Sequence, residues 1–508
     1  MSAASNTMPV STSLTPKDIR SILIGLMLAI LLGALDSTII SVALPKMAAD
    51  LQGINLLAWV MSGYLIAMAV ATPIYGKLGD IYGRRIVLSN AIILFLVASV
   101  ACAMAPTMPV LVAARILQGL GGGGLISVAQ ATIADVVSPR ERGRYQAYIS
   151  GAFAVASVSG PILGGVLTAY LSWRWVFWIN LPLGLIALLI SRRAMRKLHV
   201  PQRKRSVDYV GAALLSVGLS AVLLTISRAG QQDVPGLDNN SLRMLILAVI
   251  CLAAYVWNAR RTPEPIVPLG LFRIRTVTLC CLVVFIAFVE LVALTVLVPL
   301  EIQMLTNAGA DGAAWRLIPL SLGVPLGAYT SGRLMTHWGT YKRIQLTGVT
   351  LLPFCVLLLG FLDPANTGLM SVLLSLTGFS IGLQLPTSTV AVQNAVPHSD
   401  VGVATSASAF CRSLGSAIGI ALLTAFLLFW LRSGAGSLNN GMSGADIINT
   451  LIGHSQHSID DMDLSSLAPI ALQSFRNVYM LAAAIATLSI PLTLLLRNEA
   501  LGEKPPAS

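Results

Sequence analysis

GKLGDIYGRRI occupies Gly76–Ile86, and a weakened copy, GRLMTHWGTYKRI, occupies Gly332–Ile344. Each follows an apolar run, sets two glycines seven apart and finishes in a basic pair, Arg84–Arg85 or Lys342–Arg343. A second echo joins ADVVSPRERGR (Ala134–Arg144) to QNAVPHSDVG (Gln393–Gly402) at nearly the same offset, about 256–259 residues. Two echoes at one offset predict two homologous halves laid down in parallel orientation, the construction of many membrane transporters.

Composition places these halves in a bilayer. Of 508 residues, 56% are hydrophobic and only 11% charged, where a soluble domain carries about 25% charge. That excludes a soluble enzyme, a disordered chain and a collagen. Apolar runs fall at about 21–44, 56–75, 87–105, 109–134, 146–169, 175–191, 208–227, 241–258, 276–300, 314–335, 344–362, 366–392, 403–431 and 477–496. Fourteen spans of about 20 residues would use roughly 280 positions, and 56% of 508 is about 284. The runs are too long and too evenly apolar for barrel strands, so the expected fold is all-α and polytopic. It has two six-helix bundles plus two extra central spans.

The expected divisions are a cytoplasmic segment 1–19, a first bundle 20–200, a linker and two-span insert 201–268, a second bundle 269–500 and a tail 501–508. The second bundle includes an external loop, 432–476, and the insert is expected to pack toward lipid. The excess of 33 Lys and Arg over 21 Asp and Glu reads as topology rather than nucleic-acid binding. With the N-terminus inside, 24 basic residues fall on the cytoplasmic side and six, Lys46, Arg174, Arg228, Arg243, Arg432 and Arg476, on the other. That asymmetry predicts both termini in the cytoplasm.

The six cysteines, Cys102, Cys251, Cys280, Cys281, Cys355 and Cys411, all lie in apolar runs without metal spacing, so they read as small buried residues. His454 and His457 sit with Asp460, Asp461 and Asp463 in what reads as a solvated loop, and no metal site is expected. GLGGGG (Gly119–Gly124) matches the dinucleotide fingerprint in form, yet lies inside an apolar span and suits tight helix packing instead. No GxxxxGK[ST] loop is present, so the energy source is expected to be an ion gradient. Charges inside spans are costly and therefore informative. Asp36, Arg115 and Glu290 lie in the first, fourth and ninth spans, with Arg316 and Arg412 as further basic outliers expected to sit in salt bridges or at an interface.

LGALDSTIISVALP (Leu32–Pro45), GKLGDIYGRR (Gly76–Arg85), ARILQGLGGGG (Ala114–Gly124), GPILGG (Gly160–Gly165) and WRWVFWINLP (Trp173–Pro182) together resemble the major facilitator superfamily. The resemblance is to its fourteen-span drug:proton antiporter branch and covers almost the whole chain. It implies export of lipophilic or cationic compounds in exchange for protons by alternating access, with a single metabolite, siderophore or sugar as the alternative cargo. The implied partners are that small-molecule substrate, protons and the cell membrane, with no nucleic acid and no cofactor. A periplasmic adaptor joins them where the source cell has two membranes. The resemblance also implies that Gly76, Asp80, Gly83, Arg84 and Asp135 form a cytoplasmic latch between the halves. Gly151, Gly160, Pro161, Gly164 and Gly165 would form the exporter motif, shaping the packing of the halves.

The two latch glycines are further expected to let the second and third spans approach and reverse. The proton site is expected at Asp36, with Arg115 and Glu290 as its electrostatic company and Glu290 as the next candidate. An integral-membrane enzyme would need a nucleophile–base set or metal cluster, which is not visible, and a non-transporting receptor would not need the buried charges.

Overall fold

A computed structural model describes residues 15–51, 56–137, 139–198, 208–229, 239–263, 265, 269–306, 312, 315–397, 400–436 and 461–497. In the first half α1 is Pro16–Asp50, α2 Leu57–Tyr82, α3 Arg84–Ala103, α4 Met108–Val136 and α5 Pro139–Tyr170. The short α6 (Trp175–Trp178) leads into α7 (Asn180–Ala194). The insert holds α8 (Tyr209–Ala229) and α9 (Asn239–Arg261). The second half holds α10 (Arg275–Leu305), α11 (Ile318–Trp338), α12 (Lys342–Leu359), α13 (Thr367–Asn394) and α14 (Val401–Gly436), then α15 (Asp461–Thr487) and α16 (Ser489–Leu494). Among the described residues eleven helices are long and apolar enough to cross a membrane.

Local chemistry explains the ends of several of these helices. Thr15 caps α1 in a reciprocal box: its hydroxyl accepts from Asp18 N at 3.3 Å, while Thr15 N donates to the Asp18 carboxylate at 3.1 Å. Asn366 caps α13 through its side chain alone, accepting from Leu369 N at 3.2 Å. Prolines sit inside α2, α10, α11, α12 and α13, at Pro73, Pro299, Pro325, Pro353 and Pro386. Membrane helices tolerate them because neighbouring helices support the freed carbonyls.

Apolar packing divides into two main cores. Ile22, Leu26, Ile30, Ile92, Phe95 and Leu125 knit α1, α3 and α4 together. Leu294, Leu297, Leu352, Val356, Phe475 and Val478 do the same for α10, α12 and α15. The glycine run behaves as expected: a Cβ at Gly119 or Gly123 would collide with the backbone of α2, and one at Gly121 with the backbone of α3. Gly323 and Gly327 of α11 and Gly378 and Gly382 of α13 interlock in the same backbone-to-backbone manner.

The halves meet along two seams, α2 against α14 and α5 against α11. By the repeat offset α2 corresponds to α11 and α5 to α14, so one contact is used twice. The only positive-φ glycines among the described residues are Gly83 (φ 87°) and Gly339 (φ 68°), at matching places in the two copies of the repeat. Both turns demand a backbone that other residues adopt at a cost.

The insert breaks this symmetry. Leu215 and Leu219 of α8 pack with Val70 and Ile74 of α2 and with Phe410 and Leu414 of α14, so α8 straddles one seam. On α9, Ile246, Val249, Ile250 and Trp257 are exposed apolar side chains that suit lipid.

Two expected boundaries change. The region expected as an external loop, 432–476, is helical up to Gly436 and again from Asp461. Arg476 sits on α15, donating from Nε to Gly360 O at 3.3 Å. Loss of hydropathy marked the end of the apolar run, whereas helical hydrogen bonding continues past it. His454, His457, Asp460 and the segment 1–14 lie outside the described residues.

Candidate functional site

Five helical elements of the first half converge on one buried ion pair. Asp36 of α1 and Arg115 of α4 are both completely buried, and Arg115 Nη1 donates to Asp36 Oδ2 at 2.7 Å. The other carboxylate oxygen accepts from Gln118 Nε2 at 2.9 Å and from Asn180 Nδ2 at 2.8 Å. Arg115 also donates to Gln118 Oε1 at 2.8 Å and to Val60 O of α2 at 3.3 Å, and its guanidinium lies 4.1 Å from the Tyr64 ring centroid. Asn180 reaches Ser99 of α3 at 3.0 Å. Every partner of Asp36 is a donor, so the arrangement fits a fixed carboxylate balanced by one guanidinium.

Glu290 has a different environment. It is completely buried in α10, and neither carboxyl oxygen has a hydrogen-bond partner among the described residues. The expected company of Asp36, Arg115 and Glu290 therefore divides: the first two pair directly, and Glu290 lies in the other half without an ion pair to either. Sequence depth along each span did not reveal which helices touch.

A second buried carboxyl on α10, Glu301, accepts from the Tyr479 hydroxyl of α15 at 2.6 Å. Sequence reading ended that span near residue 300 and so passed over Glu301. The helix runs on to Leu305 and buries it.

At the end where α2 meets α14, Arg84 pairs with Asp80 and, through Nε at 2.9 Å, with Asp135. A Cβ at Gly402, the second residue of α14, would overlap both Arg84 and Asp80, and one at Gly76 would overlap Ser406. Gly76 thus admits α14 from the opposite half rather than α3, which corrects its expected partner. Gly83 makes the α2–α3 reversal as expected. The residues of the expected exporter motif pack first within their own half. A Cβ at Gly160 would meet Thr38, and one at Gly164 would meet Ile39, both on α1 of the same half, whereas Gly151 faces open space. Pro161 and Gly165 lie within the continuous α5. The motif glycines seat α5 on α1, and α5 then meets α11 across the seam.

Among the described residues no group of His, Cys, Asp and Glu is arranged to hold a metal ion. The two basic outliers differ. Arg316 donates from Nη1 to Pro364 O at 3.1 Å, whereas Arg412 lies between two phenylalanine rings.

The family model described as the Major Facilitator Superfamily matches residues 26–420. The chain belongs to this superfamily. A multidrug transporter protein, MdtP, of Bacillus subtilis is 32% identical over 410 residues, covering 80% of this chain and 75% of the relative. Multidrug resistance protein 3 of the same organism is 30% identical, covering 79% of this chain and 78% of that protein. An uncharacterised transporter from Mycobacterium tuberculosis is 32% identical over 96% of this chain and 70% of its own length. Among solved structures the proton:xylose symporter XylE matches with a TM-score of 0.63 at 15% identity, covering 96% of this chain and 98% of that one. At that identity the likeness concerns the fold. The chain is thus an integral-membrane transporter of the major facilitator fold with multidrug-efflux relatives.

Within this superfamily member, several polar residues escaped the sequence reading. Gln118 was recoverable, being one helical turn from Arg115 and on its face. Asn180 lies inside WRWVFWINLP but carries no charge to single it out, and Tyr64 reads as one more apolar residue. At the Asp80–Arg84–Asp135 cluster, Asp80→Asn removes one of the two carboxylates on Arg84 at the seam between halves. The expected result is a slower transport rate with equilibrium substrate affinity unchanged within about threefold, because seam contacts bias the conformational equilibrium rather than bind cargo. Parallel binding and turnover assays check it, and a large affinity loss at normal turnover would contradict it.

Proposed function

We propose that the protein exports lipophilic or cationic compounds in exchange for protons, by alternating access between two six-span halves, residues 20–200 and 269–500. Glu290 carries the proton. The observation behind this reading is Glu290 itself, a completely buried carboxyl with no partner for either oxygen among the described residues. An ionised carboxylate there would lack compensation, so this arrangement suits the neutral form. Opening of the pathway would bring water or a cationic substrate to it and favour proton release, the linkage that antiport requires. Asp36 and Arg115 then serve as a permanent ion pair holding the first half together. The names of the bacterial relatives support drug export as the task.

The reading takes the protein to cross the cell membrane fourteen times with both termini cytoplasmic. The insert, 201–268, adds two of those spans and stays out of the transport path. The Asp80–Arg84–Asp135 cluster would then lie on the cytoplasmic side, as a latch between α2 and α14, and the close approach of Gly76 and Gly402 supports that role. A single cysteine introduced at Ser437 should react with an impermeant maleimide added from outside intact cells. Reaction only after permeabilisation would overturn the orientation.

Function is tested in proteoliposomes holding the purified protein. An imposed pH gradient should drive accumulation of ethidium and of unrelated lipophilic cations, and a protonophore should stop it. Transport driven by a sodium gradient and indifferent to pH, or confined to one metabolite, would refute the proposal.

A further inference from the structure

We propose that Arg412 is a binding site for the acidic group of amphipathic organic anions, which extends the cargo beyond neutral and cationic compounds. The inference rests on the transporter reading above, and it concerns a side chain that neither the latch nor the proton site uses.

Arg412 lies on α14 midway between the residues that bind its neighbours. Phe410 and Leu414 of this helix pack with the insert helix α8. Gly415 and Gly419 meet the backbone of α10 at Phe285 and Val289, so closely that a Cβ at either would collide. Arg412 follows Phe410 by two residues, about 200° round the helix, and so points away from the insert. Its guanidinium carbon lies 5.8 Å from the ring centroid of Phe153 and 5.5 Å from that of Phe288. Phe153 belongs to α5 of the first half and Phe288 to α10 of the second, so the cation stands at the junction of the two halves.

Its charge is otherwise unanswered. Among the described residues no carboxylate forms an ion pair with Arg412 and no acceptor takes its N–H groups, yet the side chain is only partly exposed. Of its two expected roles, a structural salt bridge or an interfacial position, the salt bridge is not found among the described residues. The contrast is Arg115, whose guanidinium is paired with the Asp36 carboxylate in the first half. Two aromatic rings stabilise a cation through their faces but leave the in-plane N–H fork of a guanidinium available, and that fork matches a carboxylate or sulfonate. An intramembrane charge held without a partner is expensive, which marks it as a site for something that arrives. The same two rings supply apolar walls. The ligand that satisfies both features is a compound with one acidic group on an aromatic or lipophilic body.

The test uses two probes sharing one ring system, 2-naphthoate and its neutral isostere 2-naphthamide, with ethidium as a separate cationic reference. Binding to the purified full-length protein in phosphatidylcholine nanodiscs is measured by equilibrium dialysis. Wild type should prefer the acid over the amide by about tenfold or more, the scale of a charge-assisted pair. Arg412→Gln should erase that preference while leaving the amide within about twofold of wild type, because only the charge–acid contact is lost. Arg412→Lys should keep a preference reduced by about threefold or more, since an ammonium retains charge without the fork.

The proposal is overturned if wild type does not distinguish acid from amide. It is also overturned if Arg412→Gln keeps the full preference or, should that variant fail to reach the membrane, if Arg412→Lys keeps it. Ethidium transport in proteoliposomes separates this from the broader reading. Proton-driven ethidium export without acid preference sinks the Arg412 site alone, whereas Arg412-dependent acid binding without proton-driven export sinks the antiport reading alone.

Discussion

Glu290→Gln is expected to abolish proton-driven efflux while the protein still folds and still binds substrate. Glutamine has the shape of a protonated glutamate and brings no charge, so the buried position in α10 accommodates it. The variant is locked in the proton-loaded form and has nothing to release when substrate enters. Coupling free energies between two ligands correspond to about 5–150-fold in affinity, and all of that should disappear. Proton-coupled antiport requires a pH-dependent substrate affinity in the wild type; in the variant it should be flat with pH, and an outward-directed substrate flux should not respond to an imposed pH gradient. Substrate exchange with no net proton movement should continue, because it requires only alternating access. Assays of binding against pH and of net and exchange flux in the same proteoliposomes check each part. An E290Q protein that couples efflux to the gradient at near wild-type rate would remove Glu290 from the mechanism.

Arg115→Leu has the second large effect, on stability. Removing the guanidinium leaves Asp36 completely buried with only the Gln118 and Asn180 amides to answer its charge. Breaking one side of a buried pair costs about 3–5 kcal/mol, a large share of a typical folding free energy. R115L should therefore show a strongly lowered thermal midpoint in detergent, read by fluorescence-detected size exclusion. Asp36→Asn added to it should recover part of the loss, since the uncompensated charge is gone. Asp36→Asn alone should keep pH-coupled transport in whatever fraction folds, because that site holds a fixed pair. Loss of coupling in folded D36N protein, with stability intact, would return the proton to Asp36. Recovery in the double variant separates a charge effect from the loss of arginine packing against Tyr64.

How far the residues alone carried these conclusions differs from element to element. Apolar run length and scarcity of charge dictated membrane helices, because lipid leaves backbone groups no partner outside the helix. The paired echoes at Gly76–Ile86 and Gly332–Ile344 dictated two related halves, and Gly83 and Gly339 both take a positive φ at matching places, with ψ of 140° and 10°. Rare charges inside apolar spans were visible as Asp36, Arg115, Glu290 and Arg412 without any coordinates. Which of them meet was not visible, since helical periodicity fixes the face a side chain occupies on its own helix and is silent about the helix opposite. Only tertiary packing paired Asp36 with Arg115 across α1 and α4, left Glu290 without a hydrogen-bond partner among the described residues and set Arg412 beside rings from both halves. The same applies to Gly76, whose missing Cβ admits α14 from more than 300 residues away in sequence, and to α8, laid across one seam of the two. Local sequence determines the rods and their faces; the partner of a face depends on the simultaneous packing of every other rod, a long-range property that no single stretch encodes.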